Sequence, residues 1–400
     1  MSTAEVTRST TTVGIVGGGP AGLMLSHLLH RNGIDSVVID NRTRETIEHT
    51  NRAGILEAGS VRLLTETGVS DRIFTDGYRH EGIELRFGGA GHRIDFEHLV
   101  GESVWLYPQT DVFIDLADAR ARDGGNVHFG VSDSSVAGVT SDAPTMSFVD
   151  AEGQHHEVTC DYLVGADGSH SICRAEIPRE VGVHHFREYP FAWFGIMTEA
   201  AMSAPELIYS HSDHGFALIS QRTPTLQRMY FQCDPNTDPT AWSDDQVWHE
   251  LDRRTEVPGF VLAKGPITEK VVLRFRSFVC QPMRYGHLFL AGDAAHTVPP
   301  TGAKGLNLAL MDVKVLAEVL DRAVNGGQTS ALEEYSPRVL ERVWKAQHFS
   351  YWMTSMLHTL PGEFATFDTA RQVGELNMVV QSTNGRRFLA EAYTGWPEKR

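Results

Sequence analysis

Between an apolar run, Val13 to Val16, and a stretch with helical spacing, Ala21 to Leu29, the chain places Gly17, Gly19 and Gly22 as G-x-G-x-x-G. Glycines there let a backbone approach a pyrophosphate, whose charge is met by the N-terminus of the following helix. Asp40 ends the next apolar run, Ser36 to Asp40, 40 − 17 = 23 residues after Gly17, where a carboxylate can accept bonds from ribose hydroxyls. The chemistry implied is dinucleotide binding. Two later segments are again apolar runs ending in an acid: Asp161 to Gly168, with Asp167, and Leu288 to His296, with Asp293 ahead of the turn-rich Pro299 to Gly305. Backbone N–H groups from Gly302 to Asn307, at a helix start, would face developing negative charge.

A second set of residues lies in the middle of the chain. On strands the side-chain period is two, so Leu218, Ser220 and Arg222 share one face, as do Leu207 and Tyr209, and as do Arg228 and Tyr230. One sheet face can therefore present a guanidinium, hydroxyls and a phenol around an apolar floor. The planar fork of Arg222 can hold a carboxylate bidentately, with Ser220 and Tyr230 bonding the same oxygens. The partner so described is a small aromatic carboxylate.

The elements that must carry these residues follow from patterning. Strand, glycine turn, helix and second strand make the opening a βαβ unit with parallel strands. Ile83, Leu85 and Phe87, then Ile94 and Phe96 after a Gly-rich turn, alternate as in a hairpin. Phe191 to Gln232 reads as short alternating strands of an antiparallel sheet, and Leu306 to Val324 and Leu332 to Leu357 as helices separated by Asn325-Gly326-Gly327. The expected fold is mixed α/β: a Rossmann-like dinucleotide-binding domain (1–182), an inserted antiparallel-sheet substrate domain (183–275) and a helical C-terminal region (276–400).

Composition bounds the partners. The 400 residues are 41% hydrophobic and 22% charged with a net charge of −16, which suits a globular chain and repels nucleic acid. Cys160, Cys173, Cys233 and Cys280 lie far apart, so neither a disulfide framework nor a zinc site is expected. No metal, membrane span or secretory leader is read from the sequence, and a reducing, cytoplasmic setting is expected.

The three separated motifs in this order resemble the flavoprotein aromatic hydroxylases. The resemblance implies FAD as cofactor, NADH or NADPH and O2 as co-substrates, a homodimer, and attack on an electron-rich ring by a flavin hydroperoxide. Glu206 to Tyr209, Gly215 to Arg222, Arg228 to Tyr230, Tyr107 to Thr110, Val298 to Leu308 and Tyr351 to Ser355 resemble the members that convert 4-hydroxybenzoate to 3,4-dihydroxybenzoate. By that resemblance Tyr209 contacts the phenolic oxygen, Tyr393 continues a proton relay and His80 stands at its solvent end. The Pro300 carbonyl, Thr301 and Asn307 would face substrate and flavin, and Leu207, Leu218, Trp193 and Ile55 would form apolar walls. Arg52, Gln109, Asp167, Arg228, Asp293, Gly305 and Leu306 would contact the flavin cofactor. Arg42, Arg44, His170 and Arg276 would serve the nicotinamide cofactor.

The chain departs from the family pattern at two places. Asn41, Thr46 and Thr50 stand where cationic or aromatic contacts to a 2′-phosphate are expected, which points to NADH or mixed use. Met229 stands where a Tyr is familiar, which would reshape the pocket and brings in a close analogue, 4-aminobenzoate or 3,4-dihydroxybenzoate, as alternative substrate. The alternative of another class is a flavin-binding sensor without catalysis, against which stand the chemically competent groups at the substrate positions.

Overall fold

The computed structural model describes residues 6–50, 54–360 and 362–397. Its first sheet is eight-stranded, with five parallel strands in the order Leu288–Leu290, His155–Gly165, Val6–Val16, Ser36–Asp40 and Asn126–Phe129. The strand Ser36–Asp40 is buried along its whole length, as parallel strands covered on both faces are. The helix Pro20–Arg31 follows the glycine turn directly, and Gly17 donates its N–H to Ile39 O at 2.7 Å across the two strands.

The second sheet, also eight-stranded, lies almost entirely antiparallel: Val183–Thr198, Leu226–Cys233, Gly215–Thr223 and Leu207–Ser212 form its centre, with Ile267–Gln281 outside the first of these. Its far edge is the hairpin Gly82–Phe87 and Ala90–Asp95, joined in parallel to Leu207–Ser212. Sheet membership therefore crosses the expected divisions at 182 and 275: residues 82–95, 276–281 and 296–297 all pair into this sheet. Phe96 does not extend the hairpin but opens the short helix Phe96–Val100, because the Asp95 side chain accepts the His98 N–H at 2.9 Å and caps it.

One face of the second sheet packs on the C-terminal helices, with Trp193, Tyr209, Tyr230, Met353 and Tyr393 in one buried cluster. The opposite face packs on the helix Asp244–Thr255, with Phe194, Ile219, Met229 and Leu251. The helices Gly305–Val324 and Tyr335–Leu357 match the expected pair, the second beginning three residues later than expected after a short 3-10 turn. Two further helices, Ala365–Gln381 and Thr383–Thr394, cover the second sheet. The four cysteines are free. Among the described residues no helix is long and apolar enough to cross a membrane, and no His, Cys, Asp and Glu cluster could hold a metal ion.

Candidate active site

A cavity of about 1030 Å³ runs from the glycine turn to the face of the second sheet and joins the two sets of residues singled out in the sequence. At its first end the glycines have different reasons to be glycine. A Cβ on Gly17, whose φ is +109°, would lie 2.2 Å from Ala166 O, and one on Gly22 would lie 1.9 Å from Gly17 O. Among the described residues, a Cβ on Gly19 would meet nothing within 4 Å and the helix that follows has no side-chain cap, so open space stands in front of its first N–H groups. Asp167 caps the turn at Ile172 with one oxygen at 2.7 Å, while its Oδ1 is buried with no hydrogen-bond partner among the described residues. A pyrophosphate fits the N–H donors of the glycine turn, and a hydroxyl-bearing ribityl chain fits a carboxylate acceptor beside it.

Asp40, buried, takes the Gly18 N–H at 2.9 Å and a two-point bond from Arg42 at 3.1 and 3.0 Å. Arg42, Gln109, His170, Asp293, Gly305 and Leu306 line the cavity. Arg44 does not: it is held on the surface by Glu48 and Asp118. Arg276 is exposed on its strand away from the cavity, and Arg52 lies outside the described residues.

At the other end Trp193, Leu207, Tyr209, Leu218, Ser220, Arg222, Arg228 and Tyr230 line the wall together, as the two-residue period requires. Leu218 pairs with both Tyr209 and Tyr230 across the strands. Gly195, opposite Tyr230, leaves room for its ring: a Cβ there would lie 2.8 Å from it. Arg222 falls where the pairing slips between Gln221 and Thr223. It is buried, burial lowers its pKa, and no described residue forms a hydrogen bond or ion pair with its guanidinium. Arg228, by contrast, is paired with Glu269 at 2.9 Å. Met229 faces the opposite core, so the substitution there does not touch the cavity wall.

The Tyr209 hydroxyl lies 2.6 Å from that of Tyr393 and 3.2 Å from the Thr301 carbonyl oxygen. Burial raises the pKa of both phenols. His80 is not at a solvent end. It is 2% exposed in the small sheet beside Val104, its Nδ1 has no partner among the described residues, and burial lowers its pKa to about 4. The Thr301 side chain turns from the cavity to Thr354, at 2.8 Å. Asn307 likewise ties backbone together, accepting from Glu57 N at 2.9 Å and donating to Ile55 O at 2.8 Å. The Pro300 carbonyl accepts from Ala303 N at 2.9 Å.

A family model described as an FAD binding domain matches residues 10–350. The chain is 41% identical over 389 residues, 97% of its length and 96% of the relative's, to a p-hydroxybenzoate hydroxylase of Acinetobacter baylyi. The chain belongs to the flavoprotein aromatic hydroxylases. A 3-(3-hydroxy-phenyl)propionate/3-hydroxycinnamic acid hydroxylase of Burkholderia cenocepacia is 26% identical, with 80% of this chain and 58% of that one covered. The crystal structure of a p-nitrophenol 4-monooxygenase from Pseudomonas putida shares the fold at TM-score 0.80 and 20% identity, covering 98% of this chain and all of that one.

As a member of that family the chain is an FAD-dependent monooxygenase. Sequence reasoning missed Lys304, a buried cation on the cavity wall. It donates to Glu57 at 2.6 Å and to the Tyr393 carbonyl at 3.1 Å, and Arg342 reaches the other Glu57 oxygen at 2.8 Å. A lysine inside a glycine-rich turn between two apolar runs was the available signal. Ser132, Asp133 and Ser134, which line the cavity near Asp40, had none.

Proposed function

We propose that this hydroxylase converts 4-hydroxybenzoate to 3,4-dihydroxybenzoate with NAD(P)H and O2. The observation that carries the reading is Arg222, a buried guanidinium without a partner among the described residues, in the same cavity as a buried phenol pair. A buried cation is stable only when an anion meets it, and a planar fork suits a carboxylate. Ser220 and Tyr230 would bond the same carboxylate, while Leu207, Leu218 and Trp193 would flank the ring and keep water away.

The para hydroxyl would then point toward Tyr209. Loss of its proton enriches the ortho carbon in electrons. Tyr209 would accept the hydrogen bond of the substrate hydroxyl while donating its own to Tyr393, 2.6 Å away, so that the two phenols together polarise the substrate O–H. FAD, when bound along Gly17, Gly19, Asp167 and Asp293, supplies the redox chemistry that takes electrons from NAD(P)H and activates O2. The opposed orientation of Met229 removes the reason for preferring a close analogue. We also infer a homodimer, because Phe367 and Met378 of the helix Ala365–Gln381 and Phe388 of the next stand exposed. Sedimentation velocity showing only monomer would remove that inference.

The test is NAD(P)H oxidation with a panel of para-substituted benzoates and chromatography of the products. 4-Hydroxybenzoate should stimulate oxidation most and yield 3,4-dihydroxybenzoate. Greater stimulation and hydroxylation of 4-aminobenzoate would refute the assignment.

A further inference from the structure

His358, one residue past the helix Tyr335–Leu357, is wholly buried behind the cavity wall and has no part in the chemistry described above. Its Nδ1 lies 2.9 Å from the Thr354 carbonyl oxygen and therefore carries the ring proton. That tautomer leaves Nε2 an acceptor, and the Trp193 indole N–H donates to it at 2.7 Å. The imidazole is fixed in turn. It stacks on Phe191 with centroids 4.6 Å apart and on Phe216 at 4.4 Å, and Phe275 meets it edge-on at 5.7 Å. Its main chain is anchored too: its carbonyl accepts from Gln372 at 2.7 Å and its N–H donates to Thr354 O at 3.1 Å. Burial lowers its pKa to about 3, which keeps Nε2 free to accept at any working pH.

Trp193 lines the cavity and packs against Tyr230 with ring centroids 4.8 Å apart. An indole has two torsions, and packing alone leaves its N–H without an acceptor in an apolar cluster. We propose that His358 is a positioning residue for the aromatic-carboxylate site: by accepting the Trp193 N–H it sets the plane of the wall on which Tyr230 and the substrate ring pack. The proposal rests on the reading of the cavity given under Proposed function. Its structural half, the bond to Trp193, is independent of any substrate.

The experiment compares FAD-loaded His358→Asn, which can keep the bond to Thr354 but is too short to reach the indole, with His358→Gln, whose carbonyl reaches the Nε2 position, and His358→Leu. The first readout is the Trp193 indole N–H resonance of 15N-labelled protein, assigned by its loss in Trp193→Phe. It should be protected in the parent and in His358→Gln and should exchange about tenfold faster in His358→Asn, the scale of one lost buried bond. The second is KM for 4-hydroxybenzoate against the rate of anaerobic flavin reduction. KM should rise about tenfold in His358→Asn and less than threefold in His358→Gln, with reduction at saturating substrate within about threefold of the parent. Unchanged indole protection and KM in folded His358→Asn would overturn the proposal even if His358→Leu fails to fold. A parent chain that ignores 4-hydroxybenzoate would instead overturn the functional reading, and the indole resonance would still decide the bond.

Discussion

On the proposed reading, removing the guanidinium of Arg222 would leave the substrate carboxylate buried without the fork that meets it. Breaking one side of a buried pair costs about 3–5 kcal/mol, so binding of 4-hydroxybenzoate to Arg222→Ala should weaken about a hundredfold or more. Equilibrium titration checks this, and an affinity within threefold of the parent would move the carboxylate elsewhere. Tyr209→Phe keeps the ring and removes the hydroxyl. Substrate should still bind and flavin should still be reduced, but a neutral phenol is a poor target, so most of the consumed NAD(P)H should be recovered as hydrogen peroxide. Product counted per nicotinamide oxidised decides it. A tyrosine serving only the core would lose about 0.5–1.5 kcal/mol of stability and keep the parent's ratio.

The segment after Asp40 shows why the nicotinamide cofactor should be NADH, or either form equally. A 2′-phosphate adds roughly two negative charges that call for free Arg or Lys. Arg42 is already spent on Asp40, and Arg44 on Glu48 and Asp118. Comparing kcat/KM for the two coenzymes tests this, and an NADPH preference of about tenfold or more, some 1.4 kcal/mol, would contradict it. The same segment shows how far sequence patterning reaches. Glycine spacing and strand alternation made the turn and the Ser220, Arg222 and Tyr230 face legible, since both follow from local geometry. The alternation that aims Tyr230 into the cavity also turns Met229 away from it, a consequence available from the sequence and not drawn there. Arg44 and His80 could not be placed so, because their partners and burial depend on residues distant in sequence. The Tyr209–Tyr393 bond, spanning 184 residues, came only from family resemblance.

At the scale of the whole molecule, two buried neutral histidines tie stability to pH. In the unfolded chain a histidine titrates near 6.5, whereas burial lowers His80 to about 4 and His358 to about 3. At these two positions the unfolded state therefore binds more protons below about pH 6.5, whereas buried His296, held above its ordinary value by the Asp312 carboxylate, acts in the opposite sense. The stability contributed by His80 and His358 is present above about pH 6.5 and is lost as pH falls toward 4. Thermal unfolding at pH 5 should come several degrees lower than at pH 7.5, and His80→Gln should flatten part of that slope. The free cysteines bear on durability. Burial raises Cys160, Cys233 and Cys280 to about 11 and lifts Cys173 well above the ordinary thiol value. At pH 7 a thiol of pKa 11 is ionised in roughly one molecule in ten thousand, and oxidants attack the thiolate. Peroxide released on any turnover in which oxygen activation missed the ring would thus meet almost no nucleophilic sulfur in this protein. Through long uncoupled turnover it should wear out by other routes, with its thiol titre after denaturation still at four.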